Sequence, residues 1–159
     1  MMSNQKFVLR RYKPNDIDAI AALFHETVHS VCAKDYNPVQ LCAWADGSVS
    51  KPAWNASLLA HHTVVAESDG EIIGFGDIDG DYLDRLFVHK DWQSCGVATV
   101  LLAALEQHAR ETGQVRVITH ASVTAKPFFG RRGYAVVKEQ QVERNGVLLT
   151  NFVMEKTLR

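Results

Sequence analysis

The pattern of apolar and polar positions changes period several times along the chain, and each change predicts an element. Positions 7–11 alternate well enough for an edge strand. Pro14, Asn15 and Asp16 then open a helix with an apolar stripe of Ile17, Ile20, Ala21, Phe24, Val28 and Val31, one face of a 3.6-residue period. Asn37 and Pro38 restart the chain into a second short helix carrying Leu41 and Trp44, ended near Asp46 and Gly47. The stretch 48–60, interrupted by Pro52, reads as irregular. From Thr63 the period becomes two, giving strands over 63–67, 71–79 and 82–89 with turns at Asp69-Gly70 and Gly80-Asp81. After Gly96 a helical stripe of Val97, Leu101, Leu105 and Ala109 runs to a stop at Gly113. The β-branched run 115–120 is expected to pair in parallel with 82–88 through a right-handed crossover. A short helix over 125–132 and a hairpin of 134–144 with 147–156 around Asn145-Gly146 complete the pattern. The expectation is an α/β mixed sheet flanked by helices, in a single domain over 1–159.

Composition narrows the partner. Hydrophobic residues make up 47% of the 159, enough for one substantial core. The 17 basic and 18 acidic side chains give 17 − 18 = −1, so there is no global field to attract nucleic acid or an anionic membrane. A small molecule is the expected partner. Cys32, Cys42 and Cys95 show no metal-type pairing, and neither a signal-peptide pattern nor an apolar run of ~20 residues is present, which points to a cytoplasmic protein with reduced thiols.

The segment Gln93-Ser94-Cys95-Gly96-Val97-Ala98 lies between a strand and a strong helix. Such a loop offers unpaired N–H groups and the positive end of a helix dipole to one point, an anion site. A nucleotide-triphosphatase loop would need Gly-Lys-Ser/Thr, and a dinucleotide fold three spaced glycines; neither is here. What remains is phosphate bound by main-chain N–H alone, with Gly96 and Ala98 small enough for close approach. Cys95, at the helix start, reads as a small residue whose N–H matters, with redox sensing as the alternative.

The loop resembles the coenzyme-binding motif of the GNAT superfamily of acyl-CoA-dependent N-acyltransferases. There, a strand ending hydrophobic-any-Val, here Leu86-Phe87-Val88, leads into Gln/Arg-any-any-Gly-any-Gly/Ala, here QSCGVA. A second family block appears as Ala125, Phe128, Phe129, Arg131, Arg132, Gly133 and Tyr134. The resemblance covers roughly Phe7 to Leu158 and implies a mostly antiparallel sheet with one splayed parallel pair, the pantetheine arm of acetyl-CoA lying in the opening. It implies coenzyme contacts from Leu86, Phe87, Val88, Gln93, Ser94, Cys95, Gly96, Val97, Ala98, Thr99, Phe128 and Phe129. Arg131 and Arg132 are placed to reach the 3′-phosphate, or simply to stabilise a helix C-terminus. A homodimer fits the family habit and the exposed sheet edges.

The resemblance implies an N-acetyltransferase that moves acetyl from acetyl-CoA directly to a primary amine of a small molecule or peptide. An ammonium with pKa ~10 must first lose a proton. Asp84, on the strand feeding the loop, is the first candidate base and Asp81 the second; the alternatives are that Asp84 pairs with Arg85 or Arg116 and that Asp77, Asp79 and Asp81 belong to the preceding turn region. The family's usual tyrosine acid stands here as Phe129, which donates no proton. Losing a general acid is typically worth ~10²–10⁴ in rate. Tyr134 is the nearest phenol in sequence, with core packing as the alternative; Ser122 and Thr124 are further donors to sulfur, or helix caps. His25, His29, Tyr36, Trp44 and Trp54 are expected to shape the acceptor pocket. His25 and His29 with Cys32 have a zinc-like spacing but lack a fourth ligand, so no metal is expected. Phe129 also leaves open the rival reading, a catalytically silent acyl-CoA-binding sensor.

Overall fold

The computed structural model describes residues 6–158. Seven strands form one sheet: β1 (Val8–Arg11), β2 (His62–Ser68), β3 (Glu71–Asp79), β4 (Tyr82–Val88), β5 (Arg116–Ser122), β6 (Ala135–Arg144) and β7 (Val147–Thr157), in the order β1-β2-β3-β4-β5-β7-β6. Every neighbouring pair is antiparallel except β4 and β5, which run parallel. Five α-helices cover the sheet: α1 (Ile17–Val31), α2 (Pro38–Trp44), α3 (Lys51–Ala60), α4 (Val97–Glu111) and α5 (Lys126–Arg131).

Alternation along the strands divides the core. Val64 and Ala66 of β2 join Leu101, Leu105 and Ala109 of α4, whereas Val65 between them joins Ile20 and Leu23 of α1 and Leu58 of α3. One face therefore carries α1 to α3 and the other α4 and α5. Helix α4 lies close over β3 because β3 has glycine at two positions beneath it. A Cβ on Gly76 would stand 2.9 Å from Leu105 Cδ1, and one on Gly74 3.2 Å from both Val97 Cγ1 and Leu101 Cδ1.

The stretch expected to be irregular contains α3. Ser50 caps it, its hydroxyl accepting from the Ala53 N–H at 3.4 Å, and Pro52 sits in the first turn, where no intrahelical donor is needed. Trp54 and Leu58, four apart, then bring one face of the helix onto α1 and the sheet. The other expected elements are present within a residue or two at their ends.

Two irregularities position the site. Between β3 and β4, Asp77 opposes Arg85 and Ile78 opposes Leu83, so Asp84 is an extra residue on a β-bulge. Between β4 and β5, only Tyr82 with Ile118 and Leu83 with Thr119 pair. The Thr119 hydroxyl then donates to the Leu83 carbonyl at 3.0 Å, and beyond it the strands separate. The short parallel pairing and the bulge fall at the same level of the sheet.

Candidate active site

The opening between β4 and β5 widens into a cleft of about 590 Å³. Its coenzyme-side wall includes Leu86, Phe87, Ser122 and Phe129; its other end is closed by Trp44 of α2, Trp54 of α3 and the turn between β6 and β7. That hairpin end is held to α2. Asn145 Nδ2 donates to the Ala43 carbonyl at 3.0 Å, Gln40 Nε2 to Leu148 O at 3.1 Å, and, just before α2, the Tyr36 hydroxyl to Thr150 O at 2.6 Å.

Beyond the end of β4 lies the loop 93–96, outside the cleft lining. Gly96 caps α4 with φ 84°, and Ser94 also has a positive φ of 61°. The Val100 N–H bonds back to the Gly96 carbonyl, leaving the N–H groups of Val97, Ala98 and Thr99 free at the helix start. Nothing lies within 4 Å of where a Gly96 Cβ would stand, so the backbone faces open space. Gln93 turns inward instead, its Nε2 donating to the Val88 carbonyl at 2.6 Å, and so fixes the loop to the end of β4. The arginine brought to the loop is Arg132, bonded to the Thr99 hydroxyl at 2.6 Å and stacked 4.0 Å over Phe128. Arg131, favoured from the sequence for the coenzyme, is exposed and has no such contact.

Asp84 lines the cleft with 31% of its side chain exposed, and Arg85 Nη1 lies 3.5 Å from its carboxylate. The same guanidinium is ion-paired with Asp77, lies 4.5 Å over the Trp54 ring and donates to Ser57 Oγ at 3.3 Å. Asp77, within the expected strand 71–79, is fully buried on β3, and His61 Nδ1 faces it at 2.8 Å. Burial pushes the Asp77 carboxyl up, and the Arg85 charge opposes that shift. His61, Asp77 and Asp84 lie within metal-ligand reach of one another, but Arg85 pairs with both carboxylates and makes the group an ion-pair network. An acidic residue inside the run Ile72–Ile78 was a usable sequence signal for this network, because a carboxylate there must find a buried partner.

Several expected residues lie elsewhere. Asp81 is in the β3–β4 turn beside Arg116 at 3.4 Å and does not line the cleft. Tyr134 is buried, its hydroxyl donating to Glu106 Oε2 at 2.8 Å, and Glu106 also meets Lys156. Burial and the Glu106 carboxylate push the phenol well above its ordinary range, so its proton is committed inside the core. His25 and His29 stack on each other 4.4 Å apart in a separate hollow beside α1. Tyr36, Trp44 and Trp54 do line the cleft, as do Tyr82, His120 and Arg144, which sequence reasoning passed over.

A sheet whose one parallel pair splays beside an open helix start, with a carboxylate on the adjoining bulge, defines an acyl-coenzyme A N-acyltransferase architecture. A family model described as the acetyltransferase (GNAT) domain matches residues 32–158, and the chain belongs to the GNAT family of N-acetyltransferases. It is 35% identical over 146 residues to YafP of Escherichia coli K12, an uncharacterized N-acetyltransferase, with 92% of this chain and 93% of that protein covered. Among solved structures, a GCN5-related N-acetyltransferase from Rhodopseudomonas palustris superposes with TM-score 0.93 at 34% identity, covering 99% of this chain and 98% of that one. The PaiA N-acetyltransferase of Thermoplasma acidophilum, solved with coenzyme A, shares the fold at TM-score 0.78 and 17% identity, over 96% and 99% of the two chains. No helix among the described residues is long and apolar enough to cross a membrane.

Proposed function

We propose that this chain transfers acetyl from acetyl-CoA directly to a primary amine of a small molecule or peptide. The observation that carries the reading is that one strand, β4, joins the three parts: Asp84 on the bulge, the unpaired Leu86 and Phe87 that line the cleft, and, beyond Val88, the loop into the open start of α4. The PaiA protein was solved with coenzyme A, and a Salmonella typhimurium acetyltransferase of the same fold, 18% identical, with acetyl-CoA. The free N–H groups of Val97, Ala98 and Thr99 suit the pyrophosphate, with Arg132 beside them. Pantetheine then lies along residues 86–88, where β4 has lost its partner on the β5 side. A cytoplasmic location belongs to the same reading, because acetyl-CoA is an intracellular metabolite.

In this mechanism the ionised Asp84 receives the acceptor as its ammonium and takes a proton from it, directly or through water. The neutral amine attacks the thioester carbonyl and the C–N bond forms; the C–S bond breaks with the sulfur leaving as thiolate, and the surplus proton on the nitrogen passes through water to that thiolate, giving the amide and free coenzyme A. Phe129 lines the cleft where the family's acid would stand and donates nothing. Ser122, which lines the cleft, remains a usable donor: its oxygen accepts the Ala125 N–H at 3.0 Å and keeps its own proton, whereas Thr124 donates to Asp35. A thiol of pKa near ~8.5 leaves with little help, which makes the loss of a tyrosine tolerable. Phe129 is also the one residue favouring the silent sensor as the second reading.

The test is calorimetric titration of acetyl-CoA, followed by coenzyme release with a broad amine panel. Micromolar binding that falls at least ~30-fold in Gly96→Arg is expected, with release above the water background. Asp84→Asn is expected to bind normally and turn over ~10²–10³ more slowly. No binding to the folded protein overturns the reading; binding without release on any amine selects the sensor.

A further inference from the structure

The polar groups at the acceptor end of the cleft are unevenly committed. Of its two arginines, Arg85 is consumed by Asp77 and Asp84, but Arg144 has no carboxylate within ion-pair distance among the described residues. The only hydrogen bond of its guanidinium goes to the carbonyl of its neighbour Glu143, at 3.0 Å. Tyr82 lies across the same cleft with its hydroxyl unbonded among the described residues, its ring edge-on to His120 at 5.3 Å, and His120 likewise makes no hydrogen bond. Apart from that one bond of Arg144, these three donors have no acceptor among the described residues. The cleft carboxylate left with a single long contact, Arg85 at 3.5 Å, is Asp84, on the bulge. Asp46, the other carboxylate of the cleft, is already taken up by the N–H and hydroxyl of Ser48 at 2.8 and 2.6 Å.

Arg144 does not hang free in solvent by accident of a loose turn. The residue after it, Asn145, is bonded to the carbonyl of Ala43, and Tyr36 and Gln40 hold β7 on the far side of the same turn, so the backbone that carries Arg144 is fixed at the wall of the cleft. Burial pushes the Tyr82 phenol up, the Asp84 charge adds to that shift and the Arg144 charge opposes it.

Resting on the acetyltransferase reading, we propose that the acceptor is a small amine that also carries a carboxylate, an amino acid or close analogue, with its ammonium at Asp84 and its carboxylate held by Arg144, Tyr82 and His120. A guanidinium meets a carboxylate with two parallel N–H donors, and a phenol hydroxyl adds a third. The side chain of the amino acid then lies against Trp44 and Trp54, which form the apolar part of this end. A simple alkylamine would leave all three donors without an acceptor from the substrate, a mismatch that discriminates between substrates.

The experiment uses matched acceptors: L-phenylalanine, L-phenylalaninamide and 2-phenylethylamine, with the leucine-derived trio beside them. The amide lacks the negative charge and its amine is the less basic of the two, which by itself favours the amide at neutral pH, so a preference for the acid reports the carboxylate against that bias. Wild type is expected to favour the acid over the amide by at least ~10-fold in kcat/KM, as one charge-assisted contact implies. Arg144→Gln collapses that ratio toward one, and Lys138→Gln, on the same strand and outside the cleft, preserves it. An amide as good as the acid, or a preference that survives Arg144→Gln, overturns the proposal. If acetyl-CoA binds and no amine is acetylated, the enzyme reading fails on its own. The subsite is then decided by equilibrium competition of the same acids and amides on the coenzyme complex: carboxylate preference lost in Arg144→Gln supports it, and equal binding of acid and amide refutes it.

Discussion

Replacing Tyr134 by phenylalanine separates a structural phenol from a catalytic one. The ring remains, so its packing on Phe129, 5.1 Å between centroids, is kept, and only the hydroxyl is lost. That hydroxyl donates to a buried carboxylate at 2.8 Å, and Glu106 retains Lys156 at 3.1 Å as its other partner. A hydrogen bond to a charged group is worth about 1.5–3 kcal/mol, and no cavity large enough to add to it is created. At about 2–4 °C per kcal/mol for a chain of this size, a loss of ~2 kcal/mol lowers Tm by about 4–8 °C. The phenol's pKa is raised on folding, so its stabilisation is complete below the unfolded value of ~10 and is lost as pH climbs beyond it. Urea melts of the two proteins should therefore differ by a constant amount from pH 6 to 9 and converge above ~10. Turnover in the coenzyme-release assay should stay within about twofold of wild type, against the ~100-fold loss expected of a missing acid. A folded variant with unchanged stability, or one with turnover down ~100-fold, would refute this placement of Tyr134.

Two further outcomes follow from the packing and the charges. Gly76→Ala puts a methyl 2.9 Å from Leu105 Cδ1 and 3.1 Å from the Arg85 carbonyl, and should cost about 1–3 kcal/mol in a denaturant melt while Gly70→Ala, in open space but with φ 79°, costs only its backbone strain of about 1 kcal/mol. His62, stacked 3.7 Å from His108, has its pKa lowered to about 4, first by desolvation and then by Arg11 and His108. A depressed folded pKa gives stability that is complete above the unfolded value of ~6.5 and lost as pH falls toward 4. Equilibrium melts across that window should show the loss in wild type and a flatter curve in His62→Gln, by less than ~2 kcal/mol because the ring is partly solvated.

The elements governed by local periodicity were legible: β3, β4 and α4 follow directly from alternation and the 97–109 stripe, and the turns at Asp69-Gly70 and Asn145-Gly146 from their dipeptides. Helix α3 was not, because Pro52 reads as a breaker unless one knows that it occupies a first turn capped by Ser50. The open helix start after the loop 93–98 was legible from Gly96 and the stripe that follows it. Its basic partner was not, because adjacent arginines on a short helix differ by ~100° in direction, and only the packing on Phe128 selects Arg132 over Arg131. The acceptor end was the least legible. Tyr82, His120 and Arg144 come from three strands, and nothing in their sequence spacing declares that a latched hairpin turn closes over a splayed pair.

The bulge at Asp84 also bears on how such a protein changes over time. One surplus residue uncouples the two halves of β4, so the pleat upstream of it, at Tyr82 and Leu83, can be altered without shifting the phase of Leu86, Phe87 and Val88. Substitutions that retune the acceptor are thereby insulated from the grip on the coenzyme. A lineage can explore new amines along the first three residues of the strand, and at the turn across from them, while the reaction it performs stays the same.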